Sequence, residues 1–164
     1  MVAVEMGLTA MMQHQAEFSK NLEEDLKTLL IGELHKLMLA GEESYALKVW
    51  GVYIKLLGKT LHRSVLINPL LRVPQQGFRH PSSAVKCAAF GAWKTLIDNF
   101  ALSPDVIADH SRVKLIMQVF ARLNAKDESL AMAKLDAWWL FLSRLGTKLP
   151  LYFEQVCILL ITWQ

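Results

Sequence analysis

Apolar positions recur at helical spacing along nearly the whole chain, and strand-like alternation is scarce. The segment NLEEDLKTLLIGELHKLMLAG spaces its leucines for one helix face after a capping Asn21 and stops at Gly41. A second amphipathic helix follows in EESYALKVWGVYIKLLGKTLH. PSSAVKCAAFGAWKTLIDNF opens with proline and serines, as helix starts do, and is apolar nearly all round, which predicts a buried helix. DESLAMAKLDAWWLFLSRLG runs from an acidic and serine start to a glycine stop at Gly146, and PLYFEQVCILLITWQ carries Pro150 in its first turn. Shorter helices fit near residues 65–72 and 111–122, and the five prolines fall outside the strongest periodic segments. The pattern predicts an all-α chain.

Three of these segments resemble one another. Aligned without gaps, YALKVWGVYIKLLG, VKCAAFGAWKTLID and AMAKLDAWWLFLSR place a small residue (Gly51, Gly91, Ala137) two positions before an aromatic one (Tyr53, Trp93, Trp139). Their spacings, 40 and 46 residues, match the period of HEAT-type repeats, helix pairs that bury their apolar faces only by stacking. The small residue is expected to admit a neighbouring helix and the aromatic to fill the layer between repeats. A weaker fourth copy surrounds Gly7. The expected architecture is an α-solenoid of HEAT-type repeats, with units near 1–41, 42–80, 81–125 and 126–164. Both ends of the sequence are apolar where solenoid caps are polar, so further repeats of the same chain are expected to flank it.

Composition removes several function classes. No window reaches the ~18 uninterrupted apolar residues of a membrane span, and no basic stretch followed by an apolar run marks a secretory signal. Cys87 and Cys157 sit far apart among apolar neighbours, as buried reduced thiols do. The five histidines show no metal-ligand spacing, and neither a nucleophile elbow nor a carboxylate pair stands out. The tripeptide Gly58-Lys59-Thr60 ends like a phosphate-binding loop, but Tyr53 stands where that loop needs its first glycine and the preceding residues read as helix. The chain is therefore read as non-enzymatic, with no cofactor and no small-molecule substrate.

The net charge of +3 hides a segregation. Residues 1–43 carry eight acids against three bases, residues 44–97 carry eight bases and no acid, and residues 98–164 carry seven of each. If the second helix runs on unbroken at ~100° per residue, Lys55, Lys59 and His62 fall within about 40° of Lys48, with Arg63 just beside them. The apolar residues Leu47, Val49, Trp50, Tyr53, Ile54, Leu56, Leu57 and Leu61 take the other side. Arg72, Arg79, His80 and Lys86 follow and could enlarge the patch. Three readings of the stripe stay open: a solvated face paired loosely with Glu42, Glu43 or the acidic first helix, contact with DNA phosphates, or capture of a phosphorylated or acidic peptide. No aromatic residue interleaves its exposed side, so stacking on single-stranded bases has little support.

The blocks ALKVWGVYIKLLGKTLHRS, FGAWKTLIDNFALSPDV, RVKLIMQ, LAMAKLDAWWLFLSRLG and LPLYFEQVC resemble, in order, the N-terminal helical-repeat region of animal Rif proteins, the Rap-interacting factor family of large telomere-associated proteins. The resemblance covers about residues 30–160. It implies a long HEAT-type solenoid in a nuclear, chromatin-associated protein. The family acts in replication timing, at telomeres in yeasts, and in animal DNA double-strand-break repair, where the repeats are recruited by a phosphorylated DNA-damage mediator. Yeast members bind DNA directly through this region. Members also deliver protein phosphatase type one through short motifs ending in an aromatic residue. RVKL (Arg112 to Leu115) has leucine there and reads as helix, so that docking is not expected in this segment. No ligand motif of the family carries over by residue. Lys48, Lys55, Lys59, His62 and Arg63 are therefore candidate phosphate contacts on charge alone, for a phosphopeptide or for DNA. The alternative is a purely structural spacer touching only neighbouring repeats.

Overall fold

The computed structural model describes residues 29–125 and 127–156. The expectations for Asn21, for a repeat copy around Gly7 and for Cys157 lie outside them. The elements are α1 (Ile31–Leu39), α2 (Glu43–Leu57), α3 (Ile67–Arg79), α4 (Ser83–Phe100), the short α5 (Pro104–Ile107), α6 (His110–Arg122) and α7 (Glu128–Leu145). Short 3-10 helices, Gly58–Arg63 and Gly146–Tyr152, follow α2 and α7. No strand occurs among the described residues, and the fold is an all-α stack of HEAT-type helical repeats. α2, α4 and α7 lie side by side in that order, with α4 in the middle, and α3 packs across α2 and α4. The apolar α4 is thus buried from two sides, as its composition demands.

One core position repeats through this layer. Trp50, Trp93 and Trp138 are all buried, at 0%, 0% and 6% exposure, and are spaced by 43 and 45 residues. In the same register Leu47, Ile54 and Leu57 answer Phe90, Ile97 and Phe100, while Val85, Leu96 and Phe100 answer Leu130, Phe141 and Leu145. This corrects the alignment of Tyr53, Trp93 and Trp139. Trp139 is 65% exposed, because consecutive helical residues lie ~100° apart and only one of the Trp138–Trp139 pair can face the core. Lys134 falls where the other helices place Ala46 and Ala89. Its ammonium donates to Leu123 O at 2.8 Å, completing the carboxyl end of α6, and burial lowers its pKa.

The helix expected near 65–72 runs to Arg79, through Pro74. A proline lacks the N–H that would bond the carbonyl four residues back, which leaves Leu70 O without a helical donor. Trp50 supplies one: its Nε1–H donates to Leu70 O at 2.7 Å, wholly buried. The indole repairs the ladder from a neighbouring helix, so the proline is absorbed and α3 continues.

The glycine expectations divide. A Cβ on Gly51 would reach Thr95 Oγ1 of α4 at 3.5 Å, an ordinary contact, and one on Gly91 would meet nothing within 4 Å. Gly91 is exposed and admits no helix. The close approach is at Gly77, where a Cβ would stand 2.9 Å from Ala89 Cβ and 3.1 Å from Leu47 Cδ1. The caps of α6 and α7 follow the usual chemistry. Asp109 accepts from Ser111 N and Arg112 N at 3.0 and 3.2 Å. Asp127 accepts from Ser129 Oγ and Leu130 N at 2.6 and 2.9 Å, and its hydrogen bonds, that from Ser129 above all, hold its pKa at about 2.

Two outcomes follow. Trp50→Phe should cost about 2–4 kcal/mol by losing volume and orphaning Leu70 O. In a Pro74→Ala background, where residue 74 regains an N–H, the same change should cost about 1–2 kcal/mol less in a urea-unfolding double-mutant cycle. Gly77→Ala should destabilise by about 1–2 kcal/mol through overpacking, whereas Gly91→Ala should stabilise by about 0.5–1 kcal/mol, both read from denaturation midpoints.

Candidate phosphate-binding face

α2 turns Ala46, Leu47, Trp50, Gly51, Ile54 and Leu57 into the core, which fixes what its other side presents. Lys48 and Lys55 lie there, both exposed and two helical turns apart. The expected continuous helix does not form. Gly58 takes φ 49° and ψ −134°, a conformation that side chains rarely adopt, and α2 ends at Leu57. The chain goes on as the 3-10 helix Gly58–Arg63. Helical-wheel angles therefore do not place Lys59, His62 and Arg63 on the Lys48–Lys55 stripe.

Asn99 holds this break. Its side-chain amide, from the buried end of α4, donates to Ile54 O and Gly58 O at 3.0 and 2.9 Å. Ile54 O also takes the Gly58 N–H as the last helical bond of α2, while Gly58 O lies beyond that ladder. The Thr60 hydroxyl donates to Leu57 O. The Gly-Lys-Thr tripeptide is thus a helix stop whose threonine is already used, preceded by helix where a phosphate loop has a strand.

Lys59 and Arg63 are exposed on the 3-10 turn. His62 is half-buried: its Nε2 lies 3.0 Å from Asn99 O, and its ring meets Phe100 edge-on with centroids 6.2 Å apart. The His62 carbonyl accepts from Arg112 Nη2 at 3.2 Å, while that guanidinium lies 4.8 Å over the Phe100 ring. His62 thus anchors the turn to α4 and α6, and Lys48, Lys55, Lys59 and Arg63 are the freely presented cations. None of these four forms an ion pair among the described residues. Glu43, expected to serve the lysines, faces His80 Nε2 at 3.4 Å. Of the following basic residues, Arg72 and Arg79 are exposed on α3, and Lys86 lies in the field of Asp127.

Sequence reasoning missed Asn99 and Arg112, which build the turn. The signal for Asn99 was a polar residue three positions after Leu96, on the apolar side of α4, next to the exposed Asp98; for Arg112 there was none. The described residues contain no group of three metal-ligating side chains and no helix long and apolar enough to cross a membrane. RVKL lies in α6 with Val113 fully buried, so it is not an extended, accessible motif.

The family model for the Rap1-interacting factor 1 N terminus matches residues 1–157. The chain belongs to this family. It is 48% identical to the human telomere-associated protein RIF1 over 97% of its length and 49% identical to the chicken protein over the same share. The fruit-fly protein of that name is 30% identical over 80% of the chain. The chain spans only 6% of the human relative and 7% of the chicken one. No solved structure matches it.

Because the exposed cations have no intramolecular carboxylate, reversing two of them should leave the fold alone. Lys48→Glu with Lys55→Glu should change unfolding free energy by no more than about 0.5 kcal/mol. His62→Ala should cost about 1–2 kcal/mol, since it removes a part-buried hydrogen bond and a ring contact. Paired urea titrations of the three proteins check both.

Proposed function

We propose that this segment is a non-enzymatic binding module of a nuclear, telomere- and chromosome-associated scaffold; the vertebrate relatives' name, telomere-associated protein, supports the telomere part of that reading. The basic face of α2 and the turn after it meets phosphates. The observation carrying this reading is four exposed cations, Lys48, Lys55, Lys59 and Arg63, without a carboxylate partner among the described residues, inside a stretch of 54 residues free of acids. Unpaired ammonium and guanidinium groups on a rigid surface favour phosphate oxygens through charge-assisted hydrogen bonds. A phosphorylated protein partner is one source of those phosphates and DNA is the other. Either role fits a scaffold working in double-strand-break repair, telomere maintenance and replication timing, the processes implied by the family resemblance.

The deciding experiment titrates the chain with a phosphorylated peptide, its unphosphorylated twin and duplex DNA at several salt concentrations. Selective binding of the phosphopeptide, lost by about tenfold or more in Lys55→Glu with Lys59→Glu, supports the peptide reading. DNA binding whose logarithm falls steeply and linearly with that of salt concentration supports the nucleic-acid reading. Indifference of every ligand to the two substitutions in a folded protein would leave the segment a structural spacer between repeats.

A further inference from the structure

A second basic region lies away from α2. Helices α3 and α6, together with Trp93 of α4, line a cleft of about 260 Å³. That volume is below the usual range of cofactor and drug-sized pockets and suits one or two side chains. Its floor and sides are apolar: Phe78 and Trp93 meet edge-to-face with centroids 5.5 Å apart, and Leu115, Val119 and Leu123 complete them. The polar lining is all amide or guanidinium, Gln75 and Arg79 from α3 and Gln118 and Arg122 from α6, with no carboxylate. Both arginines are exposed, and neither forms an ion pair among the described residues. Arg72 and Lys114, exposed on the same two helices, are likewise unpaired.

Trp93 gives the cleft a spectroscopic marker. It is fully buried, lines the cleft, and its indole N–H has no acceptor among the described residues. Its counterpart Trp50 gives that proton to the carbonyl freed by Pro74. No proline lies in α6, so no freed carbonyl awaits Trp93. The Trp138 N–H is unpaired in the same way and lies outside the cleft lining, so the Trp93 N–H serves as a reporter of the cleft and the lining itself carries the inference.

We infer that this cleft docks an acidic linear peptide, with one bulky apolar side chain against Phe78 and Trp93 and neighbouring carboxylates on Arg79 and Arg122. The apolar lining argues against a nucleic-acid backbone, which offers nothing to fill it. Two guanidiniums on separate walls match two separate carboxylates, each of which can pair bidentately with one arginine. A phosphorylated peptide would offer these arginines one doubly charged group in place of two carboxylates, and the phosphoserine comparison tells the two apart. The Gln75 and Gln118 amides can pair with the peptide backbone. The surface is distinct from the α2 face and does not depend on the reading given to it.

The test uses the 164-residue chain and a fluorescein-labelled peptide carrying one phenylalanine with two glutamates on each side. Its glutamine counterpart, its phosphoserine counterpart and duplex DNA are the comparisons. The glutamate peptide should bind by anisotropy and shift the Trp93 indole N–H signal in proton–nitrogen NMR spectra, assigned with Trp93→Phe. Glutamine should weaken binding about tenfold or more, and Arg79→Ala and Arg122→Ala should each weaken it several-fold. Leu115→Trp, which fills the cleft and keeps its charges, should abolish binding in a protein whose circular dichroism is unchanged. Lys48→Glu with Lys55→Glu should leave it intact. An unmoved Trp93 signal, indifference to both arginine substitutions, or tighter binding of the phosphoserine peptide or DNA would overturn the assignment.

Discussion

The hydrogen bond from Trp50 to Leu70 O is the constraint on which the stack depends. Pro74 would ordinarily end α3, since it removes a donor from the middle of the helix. The indole of α2 returns that donor from outside, at 2.7 Å. One bond thus decides that α3 reaches Arg79, that Gly77 comes within 2.9 Å of Ala89 for a would-be Cβ, and that Phe78 lies against Phe90 and Trp93. A helix ending at Leu70 would leave the apolar sides of α2 and α4 uncovered, and would place neither Gln75 nor Arg79 beside α6.

Asn99 plays the corresponding part at the other end of α2. Its amide bonds two carbonyls around Gly58 and its own carbonyl faces His62, so the turn carrying Lys59 and Arg63 is built from α4 as much as from α2. Arg112 of α6 closes the group through the His62 carbonyl. The basic face is therefore presented by a turn held by α4 and α6. Its rigidity comes from stacking, which is how a repeat array converts a short amphipathic sequence into a fixed surface. Gly146 ends α7 at φ 49° and ψ −123°, nearly the conformation of Gly58, so the same glycine stop with a 3-10 continuation recurs in the layer.

Much of this architecture was legible in the residues. The order of the main helices, the burial of α4, the acidic and serine start of α7 and the stop at Gly146 follow from periodicity and local chemistry. The misreadings share a cause: each depended on a contact from another helix. The helix expected near 65–72 stopped short of Pro74 because the donor that compensates this proline is 24 positions upstream. Lys59, His62 and Arg63 read as helix because leucines keep helical spacing through Leu61, whereas the backbone breaks at Gly58 and Asn99 stabilises the break from 41 positions away. The repeat was visible, but its register was not. A small residue two before an aromatic selected Trp139, and only burial shows that Trp138 is the core member.

That register explains why the chemistry of the two layers differs. The same tryptophan recurs in α2, α4 and α7, with its indole N–H engaged in the first and without an acceptor among the described residues in the other two. The difference lies in the neighbouring outer helix and not in the tryptophan. A proline in α3 consumes the Trp50 donor internally, while α6 lacks such a residue and Trp93 stays unengaged beside an apolar cleft edged by arginines. Repetition sets the scaffold, and departures from it set where the scaffold has unmet hydrogen-bonding capacity. On that ground Pro74, against its absence in α6, carries more information about binding than the repeated core does.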